Sequence, residues 1–509
     1  VGQEMKNIVV IGGGTAGWLS ALAAKKRYSD YNITVIESKE IGILGAGEGS
    51  TPDLIPFLQS LNISIEDLIR ETKSTLKFGI KFNNFSYDHG YYYHGFSINK
   101  LNPKSDGMFI RKINNSSLPE LDLFYMANDI NQNKYKISAI ALDNNRIPLT
   151  KNINSKNSSS DFDFYHLYSL HFDARLLADF LYNKAISRDI NHIDAKIVDF
   201  NLNNGNIESI VLDDGSNIFS DFVVDCSGFA RIINKNIFNT NWVSFENNLP
   251  AKKAIPFFLD IDKENIPAYT ESTAMDYGWM WKIPLQHRYG CGYVFDSNFI
   301  DEDTAKFEIE KMLGHEIKSP KIFSFIPGYY KTIWNGNTIA IGLSSGFVEP
   351  LEATSIMQSV KILQMLFKKD LDIFNSDTTQ KDLINNQYVR DCEEIRDFLY
   401  LHYMTNKNNT DFWKNFTSNN EMPETLKERI DSLFNLTYEP ETDSFFSPIS
   451  YYIIMNGNKL INKDIFETIN NRFSKDKDLF DLIKNRRNSI SNNFITHSYF
   501  IKYLGGLNE

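Results

Sequence analysis

Six residues near the start of the chain, Gly12-Gly13-Gly14-Thr15-Ala16-Gly17, lie between the apolar run Asn7–Ile11 and the helix-like stretch 18–24. Glycines at this spacing, between a strand and a helix, suit a pyrophosphate. Gly12 permits the tight turn and Gly14 lets the backbone approach the phosphates. Their charge rests on the helix N-terminus opened by Thr15 and Ala16, and Gly17 lets helix and strand pack closely. A second apolar run, 32–36, ends in Glu37, about 20 residues after the last glycine, where a carboxylate takes ribose hydroxyls. The pattern predicts an adenine dinucleotide site. A glycine-rich turn of some other α/β protein is the competing reading, and the strand-turn-helix context disfavours it.

The elements that must position such a site follow from length and pattern. A chain of 509 residues is long for one core, so two modules are expected, sequential or interleaved. The pattern is strand-rich first and mainly helical beyond about residue 365. It predicts an α/β core over 5–365, with substrate-side excursions at about 83–170, and a helical C-terminal module over 366–509. Strict alternation over 76–82 predicts one strand, with Leu76, Phe78, Ile80 and Phe82 on one face and Lys77 and Lys81 on the other. Residues 171–185 read as a helix, and 197–212 as a strand pair around an Asn-Asn-Gly turn. The Asn- and Ser-rich stretch 151–160 reads as solvated. Residues 355–367, 392–403, 426–434 and 465–483 read as helices.

Composition narrows the function classes. Hydrophobic residues at 42% and charged residues at 23% are ordinary for a soluble globular protein. A net charge of −11 argues against a nucleic-acid partner. Three widely spaced cysteines without CxxC pairing predict a reducing compartment and no metal site. No apolar run reaches a membrane span, and no signal peptide is expected ahead of the first strand, so a cytoplasmic protein is expected. The sequence permits a homo-oligomer.

The dinucleotide is NAD or FAD, and the later sequence leans to FAD. The glycine-rich loop carrying Gly47 and Glu48, the turn after Asp225 and the turn at Gly342-Leu343 are further small-residue loops. FAD outreaches a single Rossmann crevice and needs such loops, although ordinary sheet connections would look the same. Together with the first fingerprint the three loops favour FAD, and a chain with these loops resembles an FAD-binding, Rossmann-like flavoprotein of the hydroxylase type.

Residues 278–284 (GWMWKIP) carry W-x-W-x-I-P, with Trp279, Trp281, Ile283 and Pro284. With 12–18 (GGGTAGW), 47–49 (GEG), 76–82 (LKFGIKF), 93–96 (YHGF), 171–174 (HFDA), 225–228 (DCSG) and 342–354 (GLSSGFVEPLEAT), the chain resembles the flavin-dependent halogenases of the tryptophan halogenase family. The likeness continues through 397–403 and Phe412-Trp413 to Asn456-Gly457-Asn458. The Asn-, Ile- and Lys-rich composition suggests an AT-rich genome and is compatible with a bacteriophage-encoded member.

The resemblance implies a two-stage reaction. FADH2, O2 and halide give hypohalous acid, which travels to a lysine beside an aromatic substrate, with a separate flavin reductase supplying FADH2. It places that lysine at Lys77, as hydrogen-bond donor to the acid or as a haloamine, with Lys81 as the ordinary solvated counterpart. It makes Glu352 the second catalytic residue and Thr354 and Ser355 the halide site. His94 and Phe96 become stacking surfaces for the substrate, and Trp279 and Trp281 keep organic molecules from the flavin. Two departures stand out. Ala353 and Ser355 replace the family's serine and glycine at the halide loop, which predicts bromide or iodide ahead of chloride. Ile454 stands where tryptophan-specific members carry tryptophan, which predicts an electron-rich indole- or phenol-like substrate and not free tryptophan. An FAD-dependent aromatic monooxygenase and a catalytically silent flavin-binding protein remain the alternatives.

Overall fold

The structure, a computed structural model, describes residues 5–40, 47–88, 90–96, 137–151, 162–164, 167–318, 321–435, 437–438, 443–461, 463–472, 485, 489 and 491–507. The front of the Gly47 loop, residues 41–46, lies outside them, as do most of the stretch 151–160 read as solvated, much of the excursion at 83–170 and the end of the helix read at 465–483. The chain forms two compact units, each assembled from three stretches. The first is Val1–Ser74, Phe172–Glu246 and Ile326–Ile395; the second is Thr75–His171, Asn247–Phe325 and Arg396–Glu509. Their segments alternate along the chain, the interleaved arrangement that length allowed, but not with the single boundary near residue 365 that the sequence pattern placed. That boundary followed the change from strands to helices, which tracks the local chain and not which segments share a core.

In the first unit the strands Asn191–Asp194, Asn32–Glu37, Asn7–Ile11, Phe222–Asp225 and Thr338–Ala340 form a parallel sheet in that order, and Trp334–Asn335 joins its edge antiparallel. In chain order the parallel strands run 3-2-1-4-5, a doubly wound arrangement. Val9, Ile11, Ile36 and Val223 are buried together with Ile207, Ile210 and Leu212. Those last three come from the strand Asn206–Leu212, which pairs with Ile197–Asn203 as read, through a turn at Asn204 and Gly205. The helix Thr15–Arg27 carries the glycine fingerprint at its start.

The second unit is built on a seven-stranded sheet in the order Phe323–Ser324, Lys253–Leu259, Tyr289–Phe295, Gly278–Pro284, Thr270–Ala274, Gly79–Asn83, Tyr91–Gly95. Alternation along its strands divides two faces. Ile255, Phe257, Met280, Cys291 and Tyr293 pack with Ala305 and Ile309 of the helix Glu302–Leu313. Trp279, Trp281 and Ile283 alternate with Met280 and Lys282, and so project from the opposite face.

Two local readings are corrected. The single strand expected over 76–82 is two. Thr75–Lys77 pairs with Ser169–Phe172, and Gly79–Asn83 pairs with Tyr91–Gly95 and Thr270–Ala274. The break falls at Phe78, whose N–H donates to the Ala268 carbonyl instead of continuing either ladder. The helix read at 171–185 begins at Ala174, because the Asp173 carboxylate accepts the N–H groups of Arg175 and Leu176 and caps it there. His171 and Phe172 belong to the preceding strand.

Candidate active site

The dinucleotide cradle is built in the first unit. Gly12 has φ +101°, closed to most side chains, and a Cβ there would lie 2.3 Å from the Cys226 carbonyl oxygen. A Cβ on Gly17 would lie 1.8 Å from the Gly12 oxygen, so only glycine lets the helix start this close to the turn. Gly14 faces open space. The helix behind it has no side-chain cap and no acidic residue in its first turn, which includes Thr15 and Ala16. This is the form a pyrophosphate needs. The Glu37 carboxylate lies against Gly13, where a Cβ would be 1.6 Å from Oε2, and its Oε1 is 3.0 Å from His192 Nε2. These residues fit FAD.

The later loops join the same unit. Gly342, at φ +74°, opens a short turn with Leu343, and a Cβ on it would meet the Ala16 Cβ at 3.0 Å. Asp225 is buried. Its Oδ1 accepts the Ser227 N–H at 2.9 Å and its Oδ2 accepts the Ile233 N–H at 3.3 Å, so the carboxylate shapes the turn after its strand. Glu48 follows Gly47 at the start of a short strand. Desolvation, helped by the Asp173 carboxylate, pushes the Glu48 carboxyl up to about 7.

Glu352 is buried at the end of the turn Pro350–Glu352. Ala353 follows with φ +57°, a left-handed conformation costing a non-glycine residue about 1 kcal/mol or more. It redirects the chain so that Thr354 precedes the helix Ser355–Leu366. That helix also lacks a side-chain cap and an acidic first turn. The Thr354 hydroxyl is buried and has no hydrogen-bond partner among the described residues. An orphan donor beside an uncapped helix start is a fit for an anion.

In the second unit Lys77 is 0% exposed. Its Nζ stands 5.5 Å from the centroid of the Phe96 ring. Lys81 is only half-buried, its Nζ 4.3 Å from the Tyr91 ring. The structure thus separates the two lysines that alternation had put on one face, and it brings Lys77 to Phe96. His94 lies two residues before Phe96, its ring 5.6 Å from Phe398, which itself stacks on Phe446 at 3.7 Å. Phe398 lies in the stretch 397–403 that carries part of the resemblance but was given no role; Phe446 was not singled out in the sequence, being some 350 residues beyond His94 with no local spacing to tie it there.

Trp279 is buried and Trp281 half-buried, their rings 6.1 Å apart. Trp281 lies over Gly292, where a Cβ would fall 2.1 Å from the indole. Ile283 and Pro284 end that strand. Ile454 is fully buried in the helix Pro448–Gly457. Asn458 just beyond it is a structural clamp: its amide donates to the carbonyls of Leu401, His402 and Met404, while its Oδ1 accepts from the Tyr92 hydroxyl.

A model of the tryptophan halogenase family matches residues 7–472. The chain belongs to the tryptophan halogenase family. It is therefore a flavin-dependent halogenase, using FADH2, O2 and halide, with a separate flavin reductase. It is 29% identical over 482 residues to the 7-chloro-L-tryptophan 6-halogenase KtzR of Kutzneria sp. (strain 744), covering 88% of this chain and 90% of that protein. The crystal structure of the tryptophan 6-halogenase SttH from Streptomyces toxytricini superposes with a TM-score of 0.84 at 25% identity, covering 98% of this chain and 99% of that one. BrvH, a flavin-dependent halogenase from Brevundimonas sp. BAL3, gives 0.79 at 26% identity, covering 98% and 99%. Among the described residues of this halogenase, no helix is long and apolar enough to cross a membrane.

Proposed function

We propose that this halogenase acts on an electron-rich indole- or phenol-like ring other than free tryptophan, and favours bromide or iodide over chloride. Reduced FAD, when bound, supplies with O2 the two-electron oxidation that turns halide into hypohalous acid. Gly12, Gly14, Thr15, Ala16 and Gly17 hold the pyrophosphate, Glu37 the ribose, and the loops of Gly47-Glu48, Asp225 and Gly342-Leu343 the remainder. Thr354 and Ser355 hold the halide. Lys77 receives the hypohalous acid and presents its halogen; Glu352 takes the carboxylate role, orienting the electrophile or accepting the proton that the ring loses.

The observation that carries this reading is the burial of Lys77. A fully buried lysine is costly to keep, and a reactive amine or ammonium is a sufficient reason to keep it. Ile454 supports the exclusion of free tryptophan: the buried aliphatic residue stands where tryptophan-specific members carry a tryptophan, so one wall of the amino-acid clamp is missing. The halide preference has two supports. Ser355 puts a side chain where the family has glycine, and heavier halides are easier to oxidise and to desolvate.

The test is product analysis by mass spectrometry, with a flavin reductase, NADH, FAD and each halide in turn. Indole, a simple phenol and free tryptophan serve as substrates. Halogenated indole or phenol, most with bromide or iodide, supports the proposal. Hydroxylated product without halogen would favour the monooxygenase alternative.

A further inference from the structure

The strand that carries Lys77 is only three residues long, Thr75–Lys77, and a buried polar network grips it. The Thr75 hydroxyl donates to the Pro284 carbonyl at 2.7 Å. Its single proton being used there, Thr75 Oγ1 can only accept from His171 Nδ1, 3.1 Å away. The proton of His171 therefore sits on Nδ1, and Nε2 accepts from the Thr270 hydroxyl at 2.9 Å. On the next residue, the Leu76 N–H donates to His497 Nε2 at 3.0 Å, and His497 Nδ1 donates to the Pro267 carbonyl at 3.1 Å. Both imidazoles are buried.

Register places this network beside the lysine. Thr75 faces His171 across the antiparallel pair, and Lys77 faces Ser169. Residues two apart on a strand share a face, so Thr75, Lys77, His171 and Ser169 line one face of the pair. Burial first, and then the charge of Lys77, hold the His171 imidazole well below its usual range. It stays neutral, and Lys77 gains no second positive charge as neighbour. A strand of three residues has few ladder bonds with which to fix a side chain, and reacting groups misplaced by about 1 Å lose on the order of a hundredfold in rate.

We propose that His171, locked as its Nδ1–H tautomer between the hydroxyls of Thr75 and Thr270, is a positioning residue for Lys77. This rests on the reading of Lys77 as the residue that receives hypohalous acid. Without the lock, the oxidant still forms but is not handed on.

The experiment compares wild type with Thr75→Val, Thr270→Val, Thr75→Ser and Thr270→Ser in the full-length protein, with reductase, FAD, bromide and indole. Bromoindole, the rate of flavin reoxidation and free hypobromous acid captured by a thiol trap are measured together. Each valine variant is expected to lose roughly tenfold or more of product at unchanged flavin reoxidation, with the trapped acid rising to match. Each serine variant, which keeps the hydroxyl, recovers the wild-type partition. In a Lys77→Ala background, adding either valine leaves the trapped acid unchanged, because the network acts through the lysine. Valine variants with full product, or with product and flavin reoxidation falling together, would overturn the proposal. So would a further rise in trapped acid on top of Lys77→Ala. A wild-type protein that makes no bromoindole but traps hypobromous acid would instead remove the reading of Lys77, and this proposal with it.

Discussion

Lys77 Nζ stands 5.5 Å from the centroid of the Phe96 ring, in a position with no solvent exposure. An amine or ammonium and an aromatic face are thereby held side by side within one unit of the chain. Lys81, four residues on and half-buried against Tyr91, provides a built-in comparison.

That comparison gives the first prediction. Lys77→Ala abolishes halogenated product while flavin reoxidation by O2 continues near the wild-type rate. Lys81→Ala retains most of the product. Equal losses at both positions, accompanied by equal falls in melting temperature, would mean that disturbing the strands, not the chemistry of Lys77, explains the effect.

The orphan hydroxyl of Thr354 gives the second. A hydrogen bond to a charged partner contributes about 1.5–3 kcal/mol, so Thr354→Val should raise the bromide concentration needed for half-maximal rate by roughly tenfold or more. Without halide the same variant should be as stable as wild type or more so, since it removes a buried donor that has no acceptor among the described residues. Halide titrations of rate and thermal melts at zero halide check the two halves separately.

Gly13 supplies the third. A Cβ there would overlap the Glu37 carboxylate, so Gly13→Ala must push Glu37 away from its place on the turn. FAD raises the melting temperature of wild type by linkage, and Gly13→Ala should lose most of that shift. An unchanged FAD-induced shift would show that Glu37 does not hold the cofactor.

A fourth prediction concerns pH. Free Glu48 would lose its proton near 4.5, but in the fold it does so only at about 7. Between these values the folded state keeps a proton that the unfolded state has released, so Glu48 costs stability increasingly as pH rises through the window. Glu48→Gln should therefore gain on wild type from pH 4.5 to 7 in the absence of FAD. His497 acts in the opposite direction. Burial lowers it from 6.5 to about 4, so the stability it permits is present above 6.5 and is lost as pH falls towards 4. Denaturant melts across both ranges test the two slopes.

Much of the first unit was legible in the sequence because its cues are local. Apolar strand, glycine turn, helix and a carboxylate about 20 residues on all sit within the first 37 positions. Trp279 and Trp281 were equally visible, being fixed by a short motif. The network around Lys77 was not. His497 reaches Leu76 across 421 residues, and His171 looked like the start of a helix because the cap at Asp173 leaves little trace in periodicity. Which segments share a unit was hidden for a related reason: hydrophobic period reports the shape of a segment and says nothing of its partner. The strand break at Phe78 escaped because alternation in side-chain type continues through it.

The most direct measurement is the halide dependence of product formation by wild type and Lys77→Ala side by side, followed by mass spectrometry on indole with the reductase present. Wild type should give a bromine-bearing product that disappears when bromide is omitted. Lys77→Ala should give no such product, although flavin turnover persists. A halogen-free oxygenated product from wild type, or undiminished bromination by Lys77→Ala, would overturn the assignment of Lys77 as the residue that presents the halogen.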